Sequence, residues 1–136
     1  MKYLYSILFV LVLITGCGKE DGYIPDVPVN YNVTITEFSL KAINNTVLVV
    51  PNVGVGGLLI VKTPLGTYVA FDRCSTVNPE KICKVAPDDS GVTATDPCSG
   101  AKFSLLDGSP QKAPAERSLK AYNISLQGNT LLHVSN

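Results

Sequence analysis

Two cysteine-containing segments between residues 68 and 122 decide the fold of this chain. The first reads YVAFDRCST over residues 68–76, and the second reads DPCSGAKFSLLDGSPQKAPAERSLKAY over residues 96–122. In the first segment, a run of aromatic and aliphatic residues typical of a β-strand leads into a loop that contains a cysteine. In the second, a cysteine-containing loop precedes a strand that ends in an Asp107-Gly108 turn, and a proline-containing loop from Pro110 to Pro114 follows.

The flanking sequence predicts further short strands and shows no sustained helical periodicity. The predicted strands are Tyr31–Ile35, Thr46–Val50, Leu58–Lys62, Thr67–Asp72, Lys84–Ala86, Val92–Ala94, Lys102–Leu106, Ala121–Leu126 and Thr130–Val134. Gly54, Gly56 and Gly57 make the segment before Leu58 a poor helix and indicate a bulge or a close backbone approach. The pattern predicts an all-β fold, a small antiparallel β-sandwich or barrel.

The two segments resemble the cluster-binding region of Rieske-type [2Fe–2S] ferredoxin domains. In that family a strand leads into a first loop with Cys-x-His, and a second loop carries Cys-Pro-x-His-Gly-Ser before an aromatic residue. The matching stretches here are 96–103 for the second loop, 106–108 for the glycine turn, 113–115 for the proline loop, and Leu119 with Tyr122 for the next strand. The resemblance implies a Rieske-like β domain over residues 31–136, with both loops at the former cluster site.

A Rieske cluster requires two thiolates on one iron and two imidazoles on the other. The resemblance places Cys74 and Asp96 at the two thiolate positions, and Thr76 and Ser99 at the two imidazole positions. The chain has one histidine, His133, which falls in the last predicted strand. The family cofactor is a [2Fe–2S] cluster, but its ligands are missing, so we expect no cofactor.

The chain has four cysteines, and Cys17 is expected to carry lipid, as argued from the first residues below. Three cysteines then remain, Cys74, Cys83 and Cys98, so at most one internal disulfide forms and one thiol is left over. The resemblance implies a Cys83–Cys98 disulfide, because many Rieske proteins staple their two loops with a second cysteine pair; Cys74–Cys98 is the alternative. These three thiols and Asp96 are also a ligand set that zinc accepts. No CxxC spacing occurs in the chain. The extracytoplasmic compartment predicted below from the first residues also favours oxidation of neighbouring thiols, so no metal is expected.

The first residues have the features of an export signal. Lys2 precedes an apolar run over Tyr3–Ile14, which ends in the sequence ITGC at residues 14–17 and resembles the bacterial lipobox. This predicts a signal peptide over residues 1–16, lipid on Cys17 and a flexible tether over residues 17–30. The expected location is the cell envelope, as an outer-membrane lipoprotein on its periplasmic face or on the cell surface. Together with the altered loops, these features look like a Rieske-like lipoprotein subfamily with degenerate cluster motifs.

Charge and site composition narrow the function. Basic and acidic residues both number 11, so there is no basic excess for a nucleic-acid partner. The sequence contains no motif that assembles a nucleophile, a general base and oxyanion donors. We therefore assign no catalytic residue and predict no enzyme. The first hypothesis is a non-enzymatic binding or structural module that contacts an envelope protein through Cys74–Gly91 and Thr95–Ala101. The alternative is a Rieske-type electron-transfer protein, a ferredoxin-like subunit, with an atypical cluster site.

Overall fold

The computed structural model describes residues 23–136. The predicted signal peptide, Cys17 and the first part of the predicted tether lie outside the described residues. The strands are β1 Asn30–Thr34, β2 Val47–Val50, β3 Leu58–Lys62, β4 Tyr68–Asp72, β5 Ala86–Pro87, β6 Thr93–Thr95, β7 Lys102–Ser104, β8 Pro110–Lys112, β9 Ala121–Gln127 and β10 Leu131–Ser135. Helix α1 covers Ile35–Lys41, and a 3₁₀ turn covers Pro79–Lys81.

The strands form two antiparallel sheets. The six-stranded sheet has the order β1-β10-β9-β4-β3-β2, and the four-stranded sheet has the order β5-β6-β7-β8. Tight connections between sequential strands favour this antiparallel arrangement, since each turn returns the chain directly alongside itself. The all-β class predicted from the sequence is confirmed.

Strand β3 is buried on both of its faces. Leu58 and Ile60 belong to one apolar core, within the curl of the six-stranded sheet. Leu59 and Val61 belong to a second core, together with residues of the four-stranded sheet such as Phe103. Side chains alternate across a strand, so a continuous apolar run is what a strand between two cores requires.

Several strand bounds shift by one or two residues, as in β5, predicted at Lys84–Ala86 and found at Ala86–Pro87. Two elements differ in kind from the sequence predictions. The predicted strand Tyr31–Ile35 ends at Thr34, whose side chain accepts a hydrogen bond from the Glu37 amide at 3.1 Å and so caps α1. The predicted loop over Pro110–Pro114 instead begins with β8, which pairs with β7. Proline is tolerated as the first residue of a strand, where no ladder donor is needed.

Residues 23–30, the described part of the predicted tether, lie against the domain. Ile24 and Val29 are each only 5% exposed. The Asn136 side chain donates to the Val27 carbonyl at 2.8 Å and accepts from the Val29 amide. Asn30 already belongs to β1. Among residues 23–136, no helix has the length and apolar character to cross a bilayer.

Candidate functional site: the two linked loops

Three loops meet at one end of the domain. We call residues 73–85, between β4 and β5, the first loop, and residues 96–101, between β6 and β7, the second loop. Residues 113–120, between β8 and β9, form the proline loop. Each loop adjoins a strand that carries a buried apolar side chain: Phe71 of β4, Phe103 of β7 and Tyr122 of β9.

A disulfide joins Cys83 of the first loop to Cys98 of the second loop, with their Cα atoms 6.2 Å apart. This confirms the pairing that the family resemblance implied, and not the alternative Cys74–Cys98. Cys74 is the free cysteine among the described residues and is buried. The bond closes a loop with a sequence separation of 15 and restricts both loops relative to each other.

Asp96 makes a second connection between the loops. Its side chain is fully buried. One carboxylate oxygen, Oδ2, accepts from the Ser75 hydroxyl at 2.7 Å and from the Ser99 hydroxyl at 2.7 Å. The other, Oδ1, accepts from the Cys98 amide at 2.8 Å. Because Ser75 belongs to the first loop, the carboxylate bridges both loops.

The charge of Asp96 follows from these contacts. Burial raises the pKa of the Asp96 carboxyl, but the hydrogen bonds from Ser75, Ser99 and the backbone amides outweigh that effect and leave the pKa below its usual value. The group is therefore ionised at neutral pH. Donors from Ser75, Ser99 and the Cys98 amide stabilise this negative charge.

Cys74 lies at the first thiolate position but is held as a thiol. Its Sγ atom lies 3.5 Å from the Pro79 carbonyl oxygen, to which it donates. Burial, with the negative charges of Asp72, Asp96 and Glu80, raises the pKa of Cys74 to about 11. A thiol with this pKa is protonated at neutral pH and is neither a good nucleophile nor a ready metal ligand.

Thr76 bonds to the proline loop and makes no hydrogen bond to Asp96. Its hydroxyl donates to the Arg117 carbonyl of the proline loop at 2.8 Å. A groove of about 450 Å³ runs beside this contact, between the first loop and the proline loop. The residues along it include Thr76, Asn78, Pro79, Glu80, Pro114 and Arg117. Of the four predicted cluster positions, only Asp96 and Ser99 are thus joined directly, while Cys74 and Thr76 bond elsewhere.

Asp72 is a buried carboxylate that the sequence analysis did not assign to the site. Its Oδ1 accepts from the backbone amides of Gly56 and Cys74, both at 2.8 Å. Its Oδ2 accepts from the Val55 amide at 2.7 Å and from the Tyr122 hydroxyl at 2.7 Å. These bonds fix the backbone at the start of the first loop. The sequence offers one indication of this role: Asp72 is an acidic residue at the end of the otherwise apolar strand β4, and a buried acidic residue needs partners.

Close backbone contact at Gly56 confirms the packing that the glycine run indicated. A Cβ atom built on Gly56 would lie 2.6 Å from the backbone nitrogen of Cys74. That distance is far inside van der Waals contact, so only glycine fits without moving the first loop.

The sequence analysis also did not assign Ser75 to the site. Neither of its neighbours in the chain indicates that its hydroxyl reaches across to the second loop.

The residues present do not fit a Rieske cluster. The four positions offer one protonated thiol, two hydroxyls and a carboxylate, whereas the cluster needs two thiolates and two imidazoles. His133 lies on β10 and pairs its Nδ1 atom with Asn32 Oδ1 of β1 at 2.7 Å. Ligand atoms of Cys83, Asp96 and Cys98 lie within 4.8 Å of one another. The two sulfurs, however, are bonded to each other and offer no thiolate for a metal.

Comparison with solved structures identifies similar folds. The cyanobacterial plasma membrane Rieske protein PetC3 from Synechocystis PCC 6803 is 27% identical and covers 79% of this chain and 98% of its own, with a TM-score of 0.58. A chain in the complex of reduced oxygenase and oxidized ferredoxin in carbazole 1,9a-dioxygenase is 18% identical, with coverage of 79% and 93% and a TM-score of 0.53. The ferredoxin of carbazole 1,9a-dioxygenase from Nocardioides aromaticivorans IC177 is 16% identical, with coverage of 82% and 100% and a TM-score of 0.52. No protein-family model and no curated protein matches the chain.

Proposed function

We propose that this chain, whose domain has the Rieske-like ferredoxin fold, is a lipid-anchored cell-envelope protein that has lost the cluster ligands and acts as a non-enzymatic binding or structural module. In this proposal the Cys83–Cys98 disulfide and the Asp96 carboxylate order the two loops, a task that the cluster performs in Rieske proteins. The lipobox-like sequence at residues 14–17 supports the anchor.

The environment of Asp96 is the observation that carries the proposal. At a position where the family has a thiolate ligand, this carboxylate is already bound by two hydroxyls and one amide of the chain. A metal ligand usually keeps a free lone pair directed at the metal, with its outer partners arranged around it. Here Ser75 and Ser99 use the carboxylate as a structural acceptor, which supports a role for Asp96 in ordering the loops.

The loop tips are the contact surface in this proposal. They carry the disulfide and the groove beside Thr76, on a rigid sheet scaffold. The expected partner is a protein of the cell envelope. No nucleic-acid role is proposed, because acidic and basic residues balance.

The solved neighbours include a Rieske protein and a ferredoxin, so electron transfer with an atypical cluster is the competing function. The two are separated by purifying the full-length protein without oxygen and measuring iron, acid-labile sulfide and visible absorption. A Rieske ferredoxin expressed and purified in parallel is the positive control. We expect a colourless protein with substoichiometric iron. Stoichiometric iron and sulfide, with an EPR signal that appears when the protein is reduced, would contradict the binding module and support the electron carrier.

The anchor is tested separately by a Cys17→Ala variant. We expect the wild-type protein in the membrane fraction and the variant either uncleaved or soluble. Identical membrane fractionation of a cleaved variant would contradict the lipid anchor. It would leave the loss of the cluster unaffected.

A further inference from the structure

We propose that the loop end of the domain faces the phospholipid surface on which the chain is anchored. The loop end comprises the first, second and proline loops; the opposite hairpin end comprises the β3–β4 and β9–β10 turns. This inference rests on the lipid anchor of the proposed function. It adds an orientation: the disulfide and the groove lie in the zone next to the membrane, so the protein partner of the proposed function would reach them along the membrane surface.

Strand directions show that the chain enters the domain at the loop end. Strand β4 runs toward the first loop, and its residue Phe71 pairs with Ala121 at the start of β9. Strand β10 runs back alongside β9, so that Ser135 pairs with Asn123. Asn30, the first residue of β1, pairs with Ser135. Residues before Asn30 therefore leave the sheet on the side of the loops.

Residues 23–26 are fixed on that side by specific contacts. Tyr23 and Ile24 line a hollow of about 230 Å³ together with Thr76 and Arg117. Lys120 of the proline loop donates to the Pro25 carbonyl at 3.2 Å and forms an ion pair with Asp26. Since Thr76 and Arg117 also border the groove of the first loop, the entry point and the loop tips adjoin.

The length of chain before Tyr23 limits how far the loop end can lie from the lipid. Cys17 is six residues before Tyr23. Six residues span at most about 20 Å when fully extended. The five residues of β4 alone cover about 17 Å between the two ends of the sheet. A contact at the loop end therefore uses almost none of this length, whereas a contact at the hairpin end would require nearly all of it, fully extended along the sheet.

The tip of the first loop has a composition that fits a phospholipid surface. Ile82 is 45% exposed, and its neighbours in sequence include the exposed Lys81 and Lys84. An exposed aliphatic side chain between lysines pairs apolar insertion with attraction to anionic headgroups. Glu80, next to Lys81 in the chain, is also exposed, so the formal charge of residues 80–84 is +1.

The test uses single tryptophans, because the chain contains none. Ile82→Trp and Lys81→Trp report on the loop end. Leu65→Trp reports on the hairpin end, where Leu65 is 90% exposed in the β3–β4 turn. Each full-length lipidated variant is added to preformed phosphatidylcholine–phosphatidylglycerol vesicles that carry lipids brominated near the headgroup. Quenching is compared with the same vesicles without bromine.

We expect quenching of the two loop-end tryptophans to exceed that of Leu65→Trp by at least twofold. If Ile82→Trp does not fold, the quenching of Lys81→Trp alone reports on the loop end. Equal quenching, or stronger quenching at position 65, in protein that floats with the vesicles would overturn the orientation and leave the anchor intact. Protein that does not float with vesicles would instead contradict the anchor, and the orientation with it.

Discussion

Asp96 combines full burial with a negative charge, which is costly in a protein interior unless donors compensate for the lost water. The compensation here comes from Ser75, Ser99 and the Cys98 amide. Ser75 lies between Cys74 and Thr76 in the chain, and Ser99 follows Cys98. The carboxylate therefore organises the local backbone of both loops as well as the contact between them. Its removal is the most informative single change at this scale.

An Asp96→Asn variant should lose about 2 kcal/mol of unfolding free energy at pH 7, because hydrogen bonds to a charged acceptor contribute more than neutral ones. Urea titrations at a series of pH values provide the measurement. The folded pKa of Asp96 lies below its usual 3.8, so the ionised group stabilises the fold at higher pH and loses that effect as the pH falls through the folded pKa. The gap between wild type and variant should be constant above about pH 5 and narrow below about pH 4.

Asp89→Asn is the matched control for that experiment, since it removes the same charge from an exposed turn. We expect its unfolding midpoint to stay close to that of the wild type at every pH. A gap for Asp96→Asn that does not change with pH would contradict an ionised carboxylate at this position.

A Tyr122→Phe variant should destabilise the domain by about 1–2 kcal/mol, because a buried acceptor loses one partner. The lost donor is the hydroxyl 2.7 Å from Asp72 Oδ2. Burial, followed by the adjacent Asp72 carboxylate, raises the pKa of the Tyr122 phenol, so the hydroxyl keeps its proton over the whole neutral range. Thermal unfolding compared with Tyr68→Phe, which removes a hydroxyl from a half-buried ring packed on Phe38, measures the effect. Equal losses for the two variants would contradict a specific role of the Asp72 contact.

The resemblance assigned Asp96 and Ser99 to the second loop, where a hydrogen bond joins them, whereas Thr76, assigned to the same site, bonds to the Arg117 carbonyl instead. It did not predict that Ser75 would bond to Asp96, or that Asp72 would accept from Tyr122, 50 residues further on. Contacts of this kind depend on how strands from distant parts of the sequence are placed in the sheet. A single sequence contains no local pattern that specifies them.

At the scale of elements, the strands were predictable where apolar residues run without interruption or alternate, as in β2, β3 and β10. Helix α1 was not, because it has seven residues and buries only Phe38, which is too short for a periodic signal. Its start depends on the Thr34 cap, and that residue also continues the alternation of β1. Strand β8 was missed because its first residue is a proline, a residue rare in strand interiors.

The link between the first and second loops is the element that most clearly carries stability. Replacing both cysteines, as in Cys83→Ser with Cys98→Ser, should cost about 3 kcal/mol, as the chain-entropy model gives for a closed loop of this length. Urea denaturation of the oxidised wild type and the double variant gives the comparison. Adding a reductant should lower the wild-type midpoint and leave the variant unchanged. A reductant-insensitive wild type would show that the loops are held by Asp96 and packing alone.

At the scale of the whole molecule, the segment before β1 belongs to the folded unit. A chain that begins at residue 23 should be as stable as one that begins at residue 18. A chain that begins at residue 31 should lose about 3 kcal/mol, since it lacks the buried Ile24 and Val29. Urea midpoints of the three forms test this, and equal midpoints for the forms starting at 23 and 31 would contradict it.

The double-sided burial of β3 has a consequence for folding. In most strands, a slip by one residue exchanges an apolar face for a polar one and is strongly disfavoured. Leu58, Leu59, Ile60 and Val61 are apolar on both faces, so such a slip would still bury hydrocarbon on either side. Correct alignment must therefore come from the polar ends of the hairpin: the paired Thr63 and Thr67 hydroxyls at one end and the amides gathered by Asp72 at the other. Variants that weaken both ends should populate misaligned, association-prone chains even though every core residue is retained.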